Sequence, residues 1–135
     1  MTYCVAMSLH EGMLFASDSR TNAGVDNVST FSKMTVFEVP DGPNQRCIVT
    51  VNAGNLATTQ AVISQLRRQA ASEESHVLNL PSMFDVAELF GQTIKRAISH
   101  SSEEQLSQAS VDFSCTFLVG GQIRGEAPRL FLIYP

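Results

Sequence analysis

Apolar and polar residues alternate from Thr2 to Leu9, with Tyr3, Val5, Met7 and Leu9 on one face and Thr2, Cys4, Ala6 and Ser8 on the other. This period of two is that of a β-strand, and Met13 to Ser17 reads as its hairpin partner across a short Glu11-Gly12 turn. Asp18 ends the second strand, back near Thr2. A Glu11-Gly12 turn pairs His10 with Met13, however, and sets Asp18 opposite Val5, on the face away from Thr2. Bringing the carboxylate to the threonine then requires a bulge, or a departure from the strand at Ser17-Asp18, a device common beside active sites.

Ser19 to Ser32 is polar and predicts a loop closed by Lys33. Met34 to Val39 and the β-branched run Cys47 to Val51 predict a second hairpin around Pro40-Asp41-Gly42-Pro43. Asn52 to Asn55 interrupts that strand just before a helical pattern of Leu56, Ile63, Leu66 and Ala70, with Asn55 or Thr58 as cap and Arg67-Arg68 suiting the dipole. Gly54 therefore lies at a strand-to-helix corner. A second helix is predicted from Ser82, its N-cap, to about Ser99, with Met83, Ala87, Phe90, Ile94 and Ala97 as its apolar stripe. Gly91 within it costs about 1 kcal/mol against alanine unless another backbone packs there. After a polar connection from His100 to Ser110, Val111 to Val119 alternates as a strand, Gly120-Gly121 turns the chain, and Arg129 to Tyr134 is a final strand. The order ββ-ββ-αα-ββ predicts an α+β layered fold, with helices on one side of largely antiparallel sheet.

A chain of 135 residues predicts one domain spanning 1–135, and 44% hydrophobic with 16% charged residues is a globular balance. The net charge of -4 gives no electrostatic reason to expect nucleic acid or an anionic membrane as partner. Cys4, Cys47 and Cys115 form no C-x-x-C and cannot all pair internally, so a reducing cytoplasm and small buried thiols are expected. No export signal or run of about eighteen apolar residues is seen, so the expected location is cytoplasmic. His10, His76 and His100 lack metal-ligand spacing, and neither metal nor cofactor is expected.

The chemistry concentrates at the start of the chain. Thr2 follows Met1, and its small side chain suits removal of the initiator methionine. That removal would join a hydroxyl and a free α-amine, of reference pKa about 7.7 to 8.0, on one residue, so that nucleophile and base coincide. Lys33 would bias the amine toward its neutral form, Asp18 would fix Lys33, and the backbone N–H of Gly54 would donate to an oxyanion.

Thr2, Asp18, Lys33 and the AGNLATTQ stretch from Ala53 to Gln60 together resemble the β-type subunits of the proteasome family, which are N-terminal nucleophile hydrolases. The phrases ASDSRTNAG (Ala16 to Gly24), VNAGNLATTQAV (Val51 to Val62) and GGQIRGEAPRLFLIYP (Gly120 to Pro135) are more narrowly similar to Anbu, the bacterial ancestral β-subunit group. The resemblance runs over essentially the whole chain. It implies the first part of an αββα four-layer sandwich, the Ntn-hydrolase fold, with two antiparallel sheets and a helix pair. It further implies metal-free, threonine-dependent cleavage of peptides or unfolded proteins inside a homo-oligomer, with Thr2 as nucleophile, Asp18 and Lys33 as its supporting pair and Gly54 as the oxyanion glycine. Neither subunit number nor any ATPase partner follows from it. Family members are longer, adding two helices, further strands and a serine that contacts the threonine amine, so the chain reads as the N-terminal half of the fold. That motivates a rival reading as a non-catalytic or truncated assembly subunit. A small ligand-binding domain would leave the four matched positions to coincidence.

Overall fold

A computed structural model describes residues 2–22, 28–72, 75–104 and 112–135. The first hairpin joins β1 (Cys4–Leu9) to β2 (Gly12–Ser17), but with Cys4 opposite Ser17 and Leu9 opposite Gly12. The turn residues are thus His10-Glu11, not Glu11-Gly12. The glycine serves instead at the first position of β2, where its φ of +150° lies in the range that disfavours a side chain. The predicted loop at 19–32 contains a short antiparallel pair, β3 (Arg20–Asn22) with β4 (Val28–Thr30), while 23–27 lie outside the described residues. Polar composition hid these strands, because their ladder rests on backbone groups.

β5 (Met34–Val39) and β6 (Arg46–Gly54) form the predicted second hairpin, with Gly42 in its turn at a φ of +88°. β6 does not stop at Val51. Asn52, Ala53 and Gly54 continue the strand, paired with Phe117, Thr116 and Cys115 of β7 (Cys115–Ile123). β8 (Arg129–Ile133) completes a four-stranded antiparallel sheet in the order β5-β6-β7-β8. Gly120 and Gly121 do not turn the chain but sit inside β7. A Cβ on Gly121 would strike the backbone of Cys47 and Ile48 on the neighbouring strand, and one on Gly120 would reach Met13 and Phe15 of the first hairpin at 2.7 and 2.8 Å. Both glycines permit close approach, and Gly125 in the following turn takes the positive φ of +85°.

Strand pairing assigns two faces to this sheet. Phe37, Ile48, Phe117, Val119 and Ile123 point one way and are buried against α1 (Leu56–Ala70) and α2 (Met83–Glu104). Phe90 of α2 meets Phe37 and Phe117 edge to face, with centroids 6.4 and 5.8 Å apart. Such pairs contribute about 0.5 to 1.5 kcal/mol beyond the area they bury. Val49, Val51, Leu118 and Gly120 point the other way, toward the β1–β2 hairpin. The layers are therefore helix pair, four-stranded sheet and two-stranded sheet, an α+β arrangement that matches the first part of an αββα sandwich.

α1 is capped by Asn55, whose side chain accepts from Thr58 N at 3.1 Å, and it buries Thr58, Thr59, Val62 and Leu66. α2 starts where Ser82 accepts from Asp85 N at 3.2 Å and runs to Glu104, one turn past its predicted end. Gly91 faces no backbone: a Cβ there would meet only Ile133 Cγ2, at 4.0 Å. Val111 lies outside the described residues. Cys115 is buried as expected, with burial pushing its thiol pKa up to about 11. Cys47 is exposed, because it sits on the hairpin-facing side of the sheet near the tip, between Glu38 and Gln122. Among the described residues no helix is long and apolar enough to cross a membrane.

Candidate active site

The site forms where three strands begin or end. Thr2 precedes β1, Asp18 follows β2, and Lys33 precedes β5. The register stops at Cys4 opposite Ser17, and one backbone bond lies beyond it, from Asp18 N to Tyr3 O at 3.0 Å. At Asp18 the chain has left the strand, the departure that the faces required. Its carboxylate folds back to accept from Tyr3 N at 3.1 Å and faces Lys33.

Lys33 is the hub. Its ammonium donates to Asp18 Oδ1 and Oδ2, both at 2.9 Å, to Arg20 O at 2.7 Å and to Thr2 Oγ1 at 3.1 Å. Its side chain is 8% exposed against 27% for Asp18, so the cation sits in the wall of the site and the carboxylate at its rim. A buried ammonium is costly unless paired, and here every direction open to its protons holds an oxygen. The hydrogen bond from Lys33 is the main reason that the Asp18 carboxyl lies below the usual carboxylate range; partial desolvation opposes it, and the Tyr3 N–H adds to it.

The arrangement can hold a threonine hydroxyl beside a fixed positive charge. Because the ammonium donates to Thr2 Oγ1, it stabilises charge that grows on that oxygen when its proton leaves. Thr2, Asp18 and Lys33 are thus brought together. Met1, whose removal is expected, lies outside the described residues. Gly54 is not hydrogen-bonded to the trio. It ends β6, two positions beyond Asn52, whose carbonyl accepts the Cys4 thiol at 3.2 Å, so it belongs to the same end of the molecule. Its φ is +114°, and a Cβ would lie 2.5 Å from Ser114 O and 2.7 Å from Cys115 Cα, so both conformation and space require glycine.

The Cys4 thiol beside the trio has its pKa raised, first by burial and next by the Asp18 charge, which leaves it protonated and inert. Two contributors were missed from sequence. Arg20 acts through its main-chain carbonyl, which no side-chain pattern reveals. Asn52 had a signal, a polar residue in line with the core-facing positions of a β-branched strand. Among the described residues, no group of three or more His, Cys, Asp or Glu is placed to hold a metal ion.

No protein-family model and no curated protein matches the sequence. Solved structures do. Anbu (ancestral beta-subunit) from Yersinia bercovieri is 46% identical with a TM-score of 0.86, over all of this chain and 53% of its own. The chain is Anbu-like along its whole length. The helical assembly of the Anbu complex from Pseudomonas aeruginosa is 42% identical with a TM-score of 0.89, again over the whole chain and 54% of its own. Anbu from Hyphomicrobium sp. strain MC1 is 37% identical with a TM-score of 0.81 and is covered over 53%. The chain therefore spans about half the length of these Anbu structures, as expected for an Anbu-like N-terminal half.

Proposed function

We propose that the chain carries the nucleophile of a threonine peptidase that works inside a self-assembled complex of Anbu type. The observation that carries the reading is the Lys33 ammonium, bonded at once to Thr2 Oγ1 and to Asp18. Once Met1 is removed, the Thr2 amine takes the hydroxyl proton as Oγ attacks a peptide carbonyl. The tetrahedral oxyanion is held by the Gly54 N–H at the positive end of α1. Loss of one such donor costs about 2.7 to 4 kcal/mol of transition-state stabilisation. The amine then returns its proton to the leaving nitrogen, the C–N bond breaks, and an ester joins the acyl fragment to Thr2. Water, deprotonated by the same amine, cleaves that ester, releasing a carboxylic acid and restoring the hydroxyl. The Pseudomonas aeruginosa relative forms a helical assembly, and homo-oligomers are the corresponding expectation here.

The half-length match favours a second reading, in which the chain only occupies a place in such an assembly. Turnover of short amide substrates by the wild type and by Thr2→Ala separates the two. A threonine peptidase loses its turnover in the variant by at least about 10³-fold; equal background rates would leave only the assembly role.

A further inference from the structure

The β5–β6 ladder ends with Met34 opposite Val51, so the next pair, Lys33 and Asn52, lies just beyond it. A lysine main chain at the loose end of a ladder would be held by a single bond. Here it is held by two, because Asn52 N and Asn52 Nδ2 both donate to Lys33 O, at 3.1 and 3.0 Å. Asn52 is buried, 6% exposed, on the face that carries Ile48 toward the helices, where an amide is costly unless hydrogen-bonded. Its own carbonyl accepts the Cys4 thiol, tying in β1 two residues from Thr2. One side chain and its peptide thus join the strand that follows Thr2 to the residue bearing the ammonium.

We propose that Asn52 is a positioning residue, whose amide fixes the Lys33 main chain so that the ammonium reaches the Thr2 hydroxyl. Of the four Lys33 contacts, that to Thr2 Oγ1 is the longest at 3.1 Å, while Asp18 and Arg20 O hold the ammonium at 2.9 and 2.7 Å. When the lysine backbone loosens, the hydroxyl contact is lost first, and the buried ammonium opens to water. The catalytic consequence rests on the peptidase reading; the placement of the ammonium does not.

Lys33 and Lys95 are the two lysines of the chain, one buried and one exposed, which supplies an internal control. In the full chain labelled with 15N-lysine, Lys33 ammonium protons exchange with water much more slowly than those of Lys95. Asn52→Leu keeps the branched shape on a somewhat larger side chain and removes the amide. It speeds Lys33 exchange at least about tenfold and slows labelling of Thr2 by a peptide β-lactone by roughly 10- to 100-fold. A residue that serves stability alone would lower the melting temperature and leave Lys33 exchange as it is in the wild type, which would overturn the proposal. Should Asn52→Leu not fold, the isostere Asn52→Asp, which lacks the donor when ionised, is read in the same way. A wild type that is not labelled, with exchange still accelerated in the variant, sinks the peptidase reading and keeps the positioning role.

Discussion

At Asp18 one carboxylate accepts from Lys33 and from the Tyr3 N–H, the peptide that follows Thr2. Its depressed pKa carries a definite sign. A carboxyl whose folded-state pKa lies below its unfolded value of about 3.9 stabilises the fold above that value and loses the contribution as pH falls through the folded one. Urea unfolding of wild type and Asp18→Asn should therefore differ at pH 7 and converge well below pH 4; a difference independent of pH would contradict the pairing. The meeting of Thr2, Asp18 and Lys33 was legible because each sits at a strand end and belongs to a recognisable spacing. The route by which Asp18 reaches the site was legible only as a requirement. Which way the chain leaves the strand depends on register, and register turned on whether Gly12 serves the turn or opens β2.

Elements were placed from periodicity, and the two helices and the strands of the three long hairpins follow it. The glycines did not. Gly120-Gly121 resembles a turn in sequence, yet these residues lie where a strand must pass close to Met13 and Phe15 on one side and the Cys47 backbone on the other. Such a demand is set by residues more than seventy positions away and leaves no local trace. Gly91 marks the opposite case, with room for a methyl group in a helix. Gly91→Ala is expected to raise unfolding stability by up to about 1 kcal/mol through helix propensity alone. Gly121→Ala, forced against backbone, should lower it by about 1 to 3 kcal/mol or prevent folding. Thermal or urea unfolding of the two variants reads both signs, and a loss in Gly91→Ala would show that something else packs on that helix face.

For the whole molecule, the notable surface is the outer side of the first hairpin. Tyr3, Val5, Met7, Leu9 and Leu14 are all exposed there, on the more apolar face of β1–β2, while Cys4, Ala6, Met13 and Phe15 face inward. Alternation identified both faces and could not say which one turns in, since that is fixed by the second sheet and Gly120. A contiguous apolar face of this kind drives association in water. Sedimentation of the chain should show average mass rising with concentration. Met7 and Leu14 are direct cross-strand neighbours, so Met7→Lys with Leu14→Glu keeps a favourable pair while removing the apolar surface. The double variant should remain monomeric; association unchanged by it would place the contact elsewhere.

The peptidase reading requires that Thr2 become the first residue and its hydroxyl the nucleophile beside Lys33. Intact-mass measurement and peptide mapping of the purified chain after exposure to a peptide β-lactone decide whether both happen. Expected are loss of Met1, one adduct on Thr2, no adduct in Thr2→Ala and a slowed reaction in Lys33→Met. Met1 retained on every molecule, or an adduct that persists in Thr2→Ala, would contradict that reading.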